Sequence, residues 1–119
     1  MKPQELENRL IDFASRIIDV VEGLPKGQIP RHLGGQLVRS GTSPALNYGE
    51  ARGAESPSDF VYKLRICLKE LRETFICLKI INKRNWFSKG KLDSIMKEND
   101  ELIAIFVSSI RTHSVRKKS

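Results

Sequence analysis

The residues of this chain that could take part in chemistry are concentrated in one hydroxyl-rich run, Ser40-Gly41-Thr42-Ser43. Hydroxyl groups can act as nucleophiles, and glycine beside them can cradle a phosphate. The run lacks the lysine of a phosphate-binding loop and the strand-turn-helix setting that presents a nucleophilic serine. Because Pro44 follows directly, we interpret the hydroxyls as bonding back to helix carbonyls around a bend. The residues given this structural role are Arg39, Ser40, Thr42, Ser43, Asn47 and Glu50.

Histidine and cysteine form no catalytic or metal-binding pattern. The two histidines, His32 and His113, fall in a predicted helix start and a predicted tail, so neither a triad nor a metal cluster is indicated. Cys67 and Cys77 are ten residues apart in one predicted helix. Their Cα atoms should therefore lie about 15 Å apart, whereas a disulfide needs them within about 7 Å. The sequence predicts a protein that is not an enzyme and that binds neither a metal nor a cofactor.

Positive charge is the feature that favours a binding partner. The chain has 21 lysines and arginines against 14 acidic residues, a formal net charge of +7. Residues 1–22 carry a net charge of −2, whereas residues 56–119 carry +7. A basic excess of this kind favours an anionic partner such as RNA or DNA. The charge could also serve solubility alone.

Basic residues of the predicted third helix recur at steps that place them on one line. At 100° per residue they lie within about 80° of one another and away from the predicted core. Glu70 and Glu73 fall outside this line. We call the set the basic stripe: Arg65, Lys69, Arg72, Lys79 and Lys83. We interpret the stripe as a nucleic-acid-binding surface that contacts backbone phosphates, and an ordinary solvated face is the alternative.

Hydrophobic periodicity predicts four helices and no β-strand. Apolar residues recur at steps of three and four over about residues 4–22, over 57–82 and from Ser88 onward. A second segment, from about 30 to 54, has small or polar inward positions, and Pro44 should kink it. Ser56-Pro57 is a typical helix start. The expected fold is all-α, an antiparallel up-down four-helix bundle over residues 1–112 with a basic C-terminal tail over 113–119.

Several isoleucines lie off the faces that such a bundle would bury. Single exposed apolar residues need no explanation, but six in these positions predict contiguous patches and hence subunit contacts. We therefore expect a homo-oligomer. The predicted interface residues are Ile11, Ile18, Ile66, Ile76, Ile80 and Ile105.

The sequence also predicts where the protein resides. No stretch approaches the roughly 18 uninterrupted apolar residues of a membrane span. The chain opens on polar residues without the apolar region of a signal peptide. We expect a cytoplasmic protein without a membrane partner.

Two runs of the sequence resemble a known family. The first is LVRSGTSPALNYGEA over residues 37–51, and the second is LRICLKELRET over residues 64–74, preceded by Asp59-Phe60. Over about residues 6–110 the chain resembles the four-helix bundle proteins encoded by intervening sequences in bacterial 23S ribosomal RNA genes. The resemblance implies a four-helix protomer, a ring-shaped homopentamer and a basic surface that contacts nucleic acid, and it implies no known reaction. More distantly, the chain is similar to the accessory variability determinant of diversity-generating retroelements, which partners a reverse transcriptase and binds nucleic acid.

Taken with the charge and the isoleucines, the resemblance favours a non-catalytic, basic, oligomeric bundle that binds RNA or DNA through backbone phosphates. The alternative is a protein-assembly scaffold or accessory subunit, for instance of a reverse transcriptase, that does not itself bind nucleic acid. Salt dependence separates the two, because phosphate contacts weaken as salt rises.

Overall fold

The computed structural model describes the backbone of residues 1–118 and the side chains of residues 1–114. It contains four helices: α1 (Pro3–Glu22), α2 (Gln28–Arg52), α3 (Pro57–Lys83) and α4 (Asp93–Lys118). No β-strand occurs within residues 1–118. The four helices form an antiparallel up-down bundle that measures 51 × 22 × 21 Å, which confirms the predicted fold class.

The antiparallel order is visible in the contacts between helices. The Cys77 thiol lies 3.7 Å from the Leu33 carbonyl, and the Cys67 thiol lies 3.5 Å from the Pro44 carbonyl. The sequence positions on α2 therefore rise as those on α3 fall. Each helix packs against its neighbours in the chain, and α1 also packs against α4 to close the bundle. Thus α1 and α3 lie on opposite sides of the molecule.

The core is built largely as the periodicity predicted, except that the buried side of α3 is rotated about the helix axis. Along α1 the predicted stripe is buried, from Leu6 to Val20. On α3 the buried face includes Thr74, Cys77 and Ile81. Phe60, Leu68 and Phe75, which belong to the apolar periodicity over residues 57–82, are only partly buried. The buried side of α3 therefore differs from the one that the periodicity of its large apolar residues indicates.

The start of α3 is confirmed and the start of α4 is not. The Ser56 hydroxyl accepts a hydrogen bond from the backbone N–H of Asp59 at 3.0 Å, as an N-cap serine should. In contrast, Ser88 does not cap α4. Its carbonyl accepts from the Lys91 N–H in a turn where Gly90 has a φ of +82°. Since a left-handed residue cannot continue a helix, α4 begins only at Asp93.

Helix α2 is continuous from Gln28 to Arg52, so Pro44 does not break it. The bend expected at Pro44 stays a prediction. Helices α1 and α2 lie in close contact at Gly41, where an added Cβ would lie 2.7 Å from Cγ2 of Ile17. Glycine at this position lets the two helices touch.

The C-terminal part of α4 runs through the segment assigned to the basic tail, as far as Lys118. Ser119 and the side chains of residues 115–118 lie outside the described residues. The boundary between bundle and tail at residue 112 therefore stays a prediction. In the part of the chain that the structure describes, no helix combines the length and apolar character needed to cross a membrane.

Candidate nucleic-acid interface

The basic stripe lies on the outer face of α3. All five of its side chains, Arg65, Lys69, Arg72, Lys79 and Lys83, are exposed. The core-facing residues of the same helix lie on its opposite side, which is why the stripe reaches solvent along its whole length. From Arg65 to Lys83 the stripe extends about 27 Å at 1.5 Å per residue.

The positive charge of the stripe is not neutralised within the described chain. None of its five residues forms an ion pair with a residue between positions 1 and 114. Lys79 instead holds its Nζ 4.6 Å from the centre of the Phe75 ring, a favourable cation–π contact. The stripe is therefore available to an anion from outside the chain.

Two acidic residues beside the stripe are occupied by an arginine from α2. Arg39 donates from Nη1 to Oε2 of Glu70 at 2.9 Å, and from Nη2 to Oε1 of Glu73. The hydrogen bonds to Glu73 and then to Glu70 raise the pKa of Arg39 above its ordinary value. Because Arg39 offsets these carboxylates, they detract less from the field of the stripe. The sequence indicated that the two glutamates lie off the stripe, but their partner is set by the packing of α2 on α3.

The hydroxyl-rich run is arranged for structure. Thr42 donates from Oγ1 to the Val38 carbonyl at 2.6 Å, and Asn47 donates from Nδ2 to the Ser43 carbonyl at 3.0 Å. The buried Ser40 hydroxyl lies 2.9 Å from that of Thr74 on α3. These bonds return to the carbonyls of α2 or join α2 to α3.

One member of that set is placed differently. Glu50 was assigned a structural role at the bend with the hydroxyl groups, but its side chain is exposed and pairs with Lys63 of α3 at 3.1 Å. The hydrogen bond from Lys63 to Glu50 raises the pKa of the lysine. Glu50 therefore joins the ends of α2 and α3 at the surface.

The remaining titratable candidates offer no reactive arrangement. His32 is exposed, whereas Nδ1 of His113 lies 2.8 Å from the Ser109 carbonyl and its ring packs on Phe60. Burial raises the pKa of the Cys67 thiol to about 12 and raises that of Cys77, so neither is poised as a nucleophile. Over the described residues, no three histidine, cysteine or acidic side chains are grouped to hold a metal ion.

The isoleucines predicted at an oligomer interface fall into two groups. Ile11, Ile18, Ile76 and Ile80 are 41% to 55% exposed. Ile66 is half-buried. Ile105 is also half-buried, and it packs against the core of its own chain. The exposed apolar surface includes Leu46 and Tyr62, at 69% and 60%, which periodicity alone did not single out.

Comparison with known proteins places this fold. A search among curated proteins found no significant match. A family model described as 23S rRNA-intervening sequence protein matches residues 4–108. Among solved structures, the chain is similar to a protein of unknown function from the S23 ribosomal protein family of Bacteroides thetaiotaomicron VPI-5482. The two share 32% sequence identity with a TM-score of 0.85, over 93% of this chain and 99% of that one. Since the family model spans most of the sequence and the solved fold agrees, the chain belongs to the family of 23S rRNA-intervening sequence proteins.

Proposed function

We propose that this protein is a non-catalytic, self-associating helix bundle that binds RNA or DNA through backbone phosphates. The observation that carries the proposal is the basic stripe: five exposed lysines and arginines on one line, with no ion-pair partner among the described residues. Lysine and arginine on a solvent-facing helix are the groups that contact phosphates.

The length and charge of the stripe suit a nucleic-acid backbone. Its span of about 27 Å corresponds to about eight base pairs at a rise of 3.4 Å. Phosphate contacts position a protein on nucleic acid without reading its sequence. We therefore expect RNA and DNA to bind with little sequence preference.

Salt dependence tests the proposal quantitatively. Each phosphate contact on duplex DNA contributes about −0.9 to the slope of log K against log salt. The substitution set Lys69→Gln, Arg72→Gln and Lys79→Gln should therefore flatten the slope by up to about 2.7 for each protomer engaged. Helicity by circular dichroism should not change, because all three side chains are exposed.

A matched control removes the same charge elsewhere. Lys2, Lys97 and Arg111 are exposed and lie off α3. Their joint replacement by glutamine should leave the salt slope nearly unchanged in electrophoretic mobility-shift or fluorescence anisotropy titrations. Equal effects of the two triple substitutions would refute the stripe as the binding surface.

The exposed isoleucines favour a second candidate function, a protein-assembly scaffold or accessory subunit. Ile11 and Ile18 are exposed as a pair on α1, and Ile76 and Ile80 as a pair on α3; exposed apolar patches are typical of protein–protein contacts. The scaffold interpretation takes over if the assembled wild-type protein binds neither RNA nor DNA at low salt.

A further inference from the structure

A cavity lies between the C-terminal end of α1 and the connection that joins α3 to α4. Its volume is about 470 Å³, which falls in the range of about 300–1,000 Å³ that is usual for small-molecule sites. The cavity includes neither the basic stripe nor the hydroxyl-rich run. The side chains that give it chemical character are Arg16, Asp19, Phe87, Lys91 and Ser94.

An aromatic ring forms one wall of the cavity. Phe87 is only partly buried, and a Cβ added to Gly23 would lie 3.1 Å from its Cε1 atom. Glycine at the end of α1 therefore leaves room for the ring beside the helix. Because the ring also packs against the hydrophobic core, its position is restrained. A restrained and partly exposed aromatic ring is a surface on which a nucleic-acid base can stack.

Two cations border the same cavity. Lys91 is exposed, and Arg16 donates from Nη2 to the Ser94 hydroxyl at 2.8 Å, which holds the guanidinium between α1 and α4. An arginine carries five N–H donors, so the remaining donors of Arg16 can reach a phosphate. Neither cation forms an ion pair with a side chain of residues 1–114. Both can therefore bind an anion at the edge of the cavity.

Asp19 supplies the cavity with a hydrogen-bond acceptor. Its carboxylate forms no ion pair within the part of the chain whose side chains are described. A carboxylate of this kind accepts a hydrogen bond from the amino group of a base. The cavity thus combines an aromatic wall, an acceptor and two cations, which are the contacts that the base and the phosphate of one nucleotide require.

The basic stripe leads to this cavity. Lys83, the last member of the stripe, is also the last residue of α3, and Phe87 follows four residues later. Their Cα atoms are therefore at most about 14 Å apart, a distance of about four stacked nucleotides. The connection that follows α3 also carries the exposed basic residues Arg84 and Lys89. A strand that lies on the stripe can thus place its end at the cavity.

We infer that the cavity binds one unpaired nucleotide of the RNA or DNA held by the stripe, with its base stacked on Phe87 and its phosphate beside Arg16 and Lys91. The inference rests on the proposed function, and it adds a preference for nucleic acid that has an unpaired end or loop. A base inside a duplex is paired and stacked, so it enters such a site only after it is unpaired. Blunt duplexes should accordingly use the stripe alone.

Three ligands with one duplex sequence separate the contribution of the base from that of the charge. They are the blunt duplex, the same duplex with one strand extended by an unpaired adenosine at each end, and the extended duplex with abasic nucleotides in place of those adenosines. The abasic form keeps the added phosphates and loses only the bases. In fluorescence anisotropy titrations, the wild-type protein should bind the adenosine form about 5- to 150-fold more tightly than the abasic form, the effect of one stacked base.

Substitutions at the cavity should remove this preference. Phe87→Leu keeps an apolar side chain without an aromatic face, so the ratio of the two affinities should fall close to one. Lys91→Gln should weaken binding of both extended duplexes and leave the blunt duplex unaffected. The matched controls are Phe60→Leu, at a partly buried ring near the start of α3, and Lys97→Gln, at an exposed lysine of α4 outside the cavity. Both controls should keep the wild-type ratio, and far-UV circular dichroism verifies that each variant is folded.

The outcomes separate this inference from the proposed function. A wild-type protein that binds none of the three ligands at low salt overturns both. Equal affinity for the adenosine and abasic forms, or a folded Phe87→Leu protein that keeps the full preference, overturns the nucleotide site and leaves the stripe in place. Adenosine monophosphate should compete only at concentrations far above those of the extended duplex, because it makes no contact with the stripe. Competition at equal concentrations would assign the cavity to free nucleotides and overturn its assignment to a nucleic-acid strand.

Discussion

Gly41 allows a direct measurement of how tightly α1 and α2 are packed. In Gly41→Ala the new Cβ would lie 2.7 Å from Cγ2 and 2.9 Å from Cγ1 of Ile17. Ile17 is fully buried, and its two γ carbons fill two of the three positions on its Cβ, so a rotation of about 120° at χ1 still leaves one γ carbon on the side of Gly41. The helices must move apart, and overpacking of this kind costs about 1–3 kcal/mol.

The same helix supplies the control. An added Cβ at Gly35 has no atom within 4 Å. Alanine in place of glycine improves helix propensity by about 1 kcal/mol at either site. The difference in unfolding free energy between Gly35→Ala and Gly41→Ala therefore isolates the packing cost. For a domain of this size 1 kcal/mol corresponds to about 4 °C in Tm, so Gly41→Ala should melt about 4–12 °C below Gly35→Ala.

Urea unfolding followed by circular dichroism at 222 nm measures both variants under one protocol. Adding Ile17→Ala to Gly41→Ala removes the two overlapping carbons and leaves only Cβ, at 3.1 Å. The double variant should then lose less stability than the sum of the two single changes. A Gly41→Ala protein as stable as Gly35→Ala would refute the argument that glycine is required for this contact.

Three further predictions concern single side chains. The hydrogen bond from Arg9 lowers the pKa of Glu98 below its ordinary value. The stabilisation of the folded state by this hydrogen bond is therefore present above the pKa of Glu98 in the unfolded chain, and it is lost as pH falls through the lower pKa of the folded protein. Glu98→Gln should flatten the acid limb of a plot of unfolding free energy against pH. Burial raises the pKa of Cys67 to about 12, so labelling of this thiol by a thiol reagent should be limited by unfolding. Rapid labelling of Cys67 in the folded protein would contradict its burial. Ser56→Ala removes the acceptor for the Asp59 N–H and should lower the free energy of unfolding in urea by about 1 kcal/mol. Ser58→Ala, a substitution inside the helix, is the control.

The candidate site was predictable where it depended on helical spacing. The stripe follows from positions on one helix, because any helix over residues 57–83 places them on one side. Its exposure follows from the apolar residues on the other side. The pairing of Arg39 with Glu70 and Glu73 joins residues more than thirty positions apart. No local pattern reports such a contact.

What the sequence by itself determined was the local structure. Periodic apolar residues set the α1 stripe, and the chemistry of Ser56 and Pro57 set the start of α3, since both effects act within one or two turns of helix. Tertiary structure decided the rest. The side of α3 that faces the core, the exposure of Glu50 and the packing of Ile105 all depend on how closely the neighbouring helices approach. Burial is a property of packed pairs of helices, so a residue's place in the interior is fixed only when its neighbours are in position.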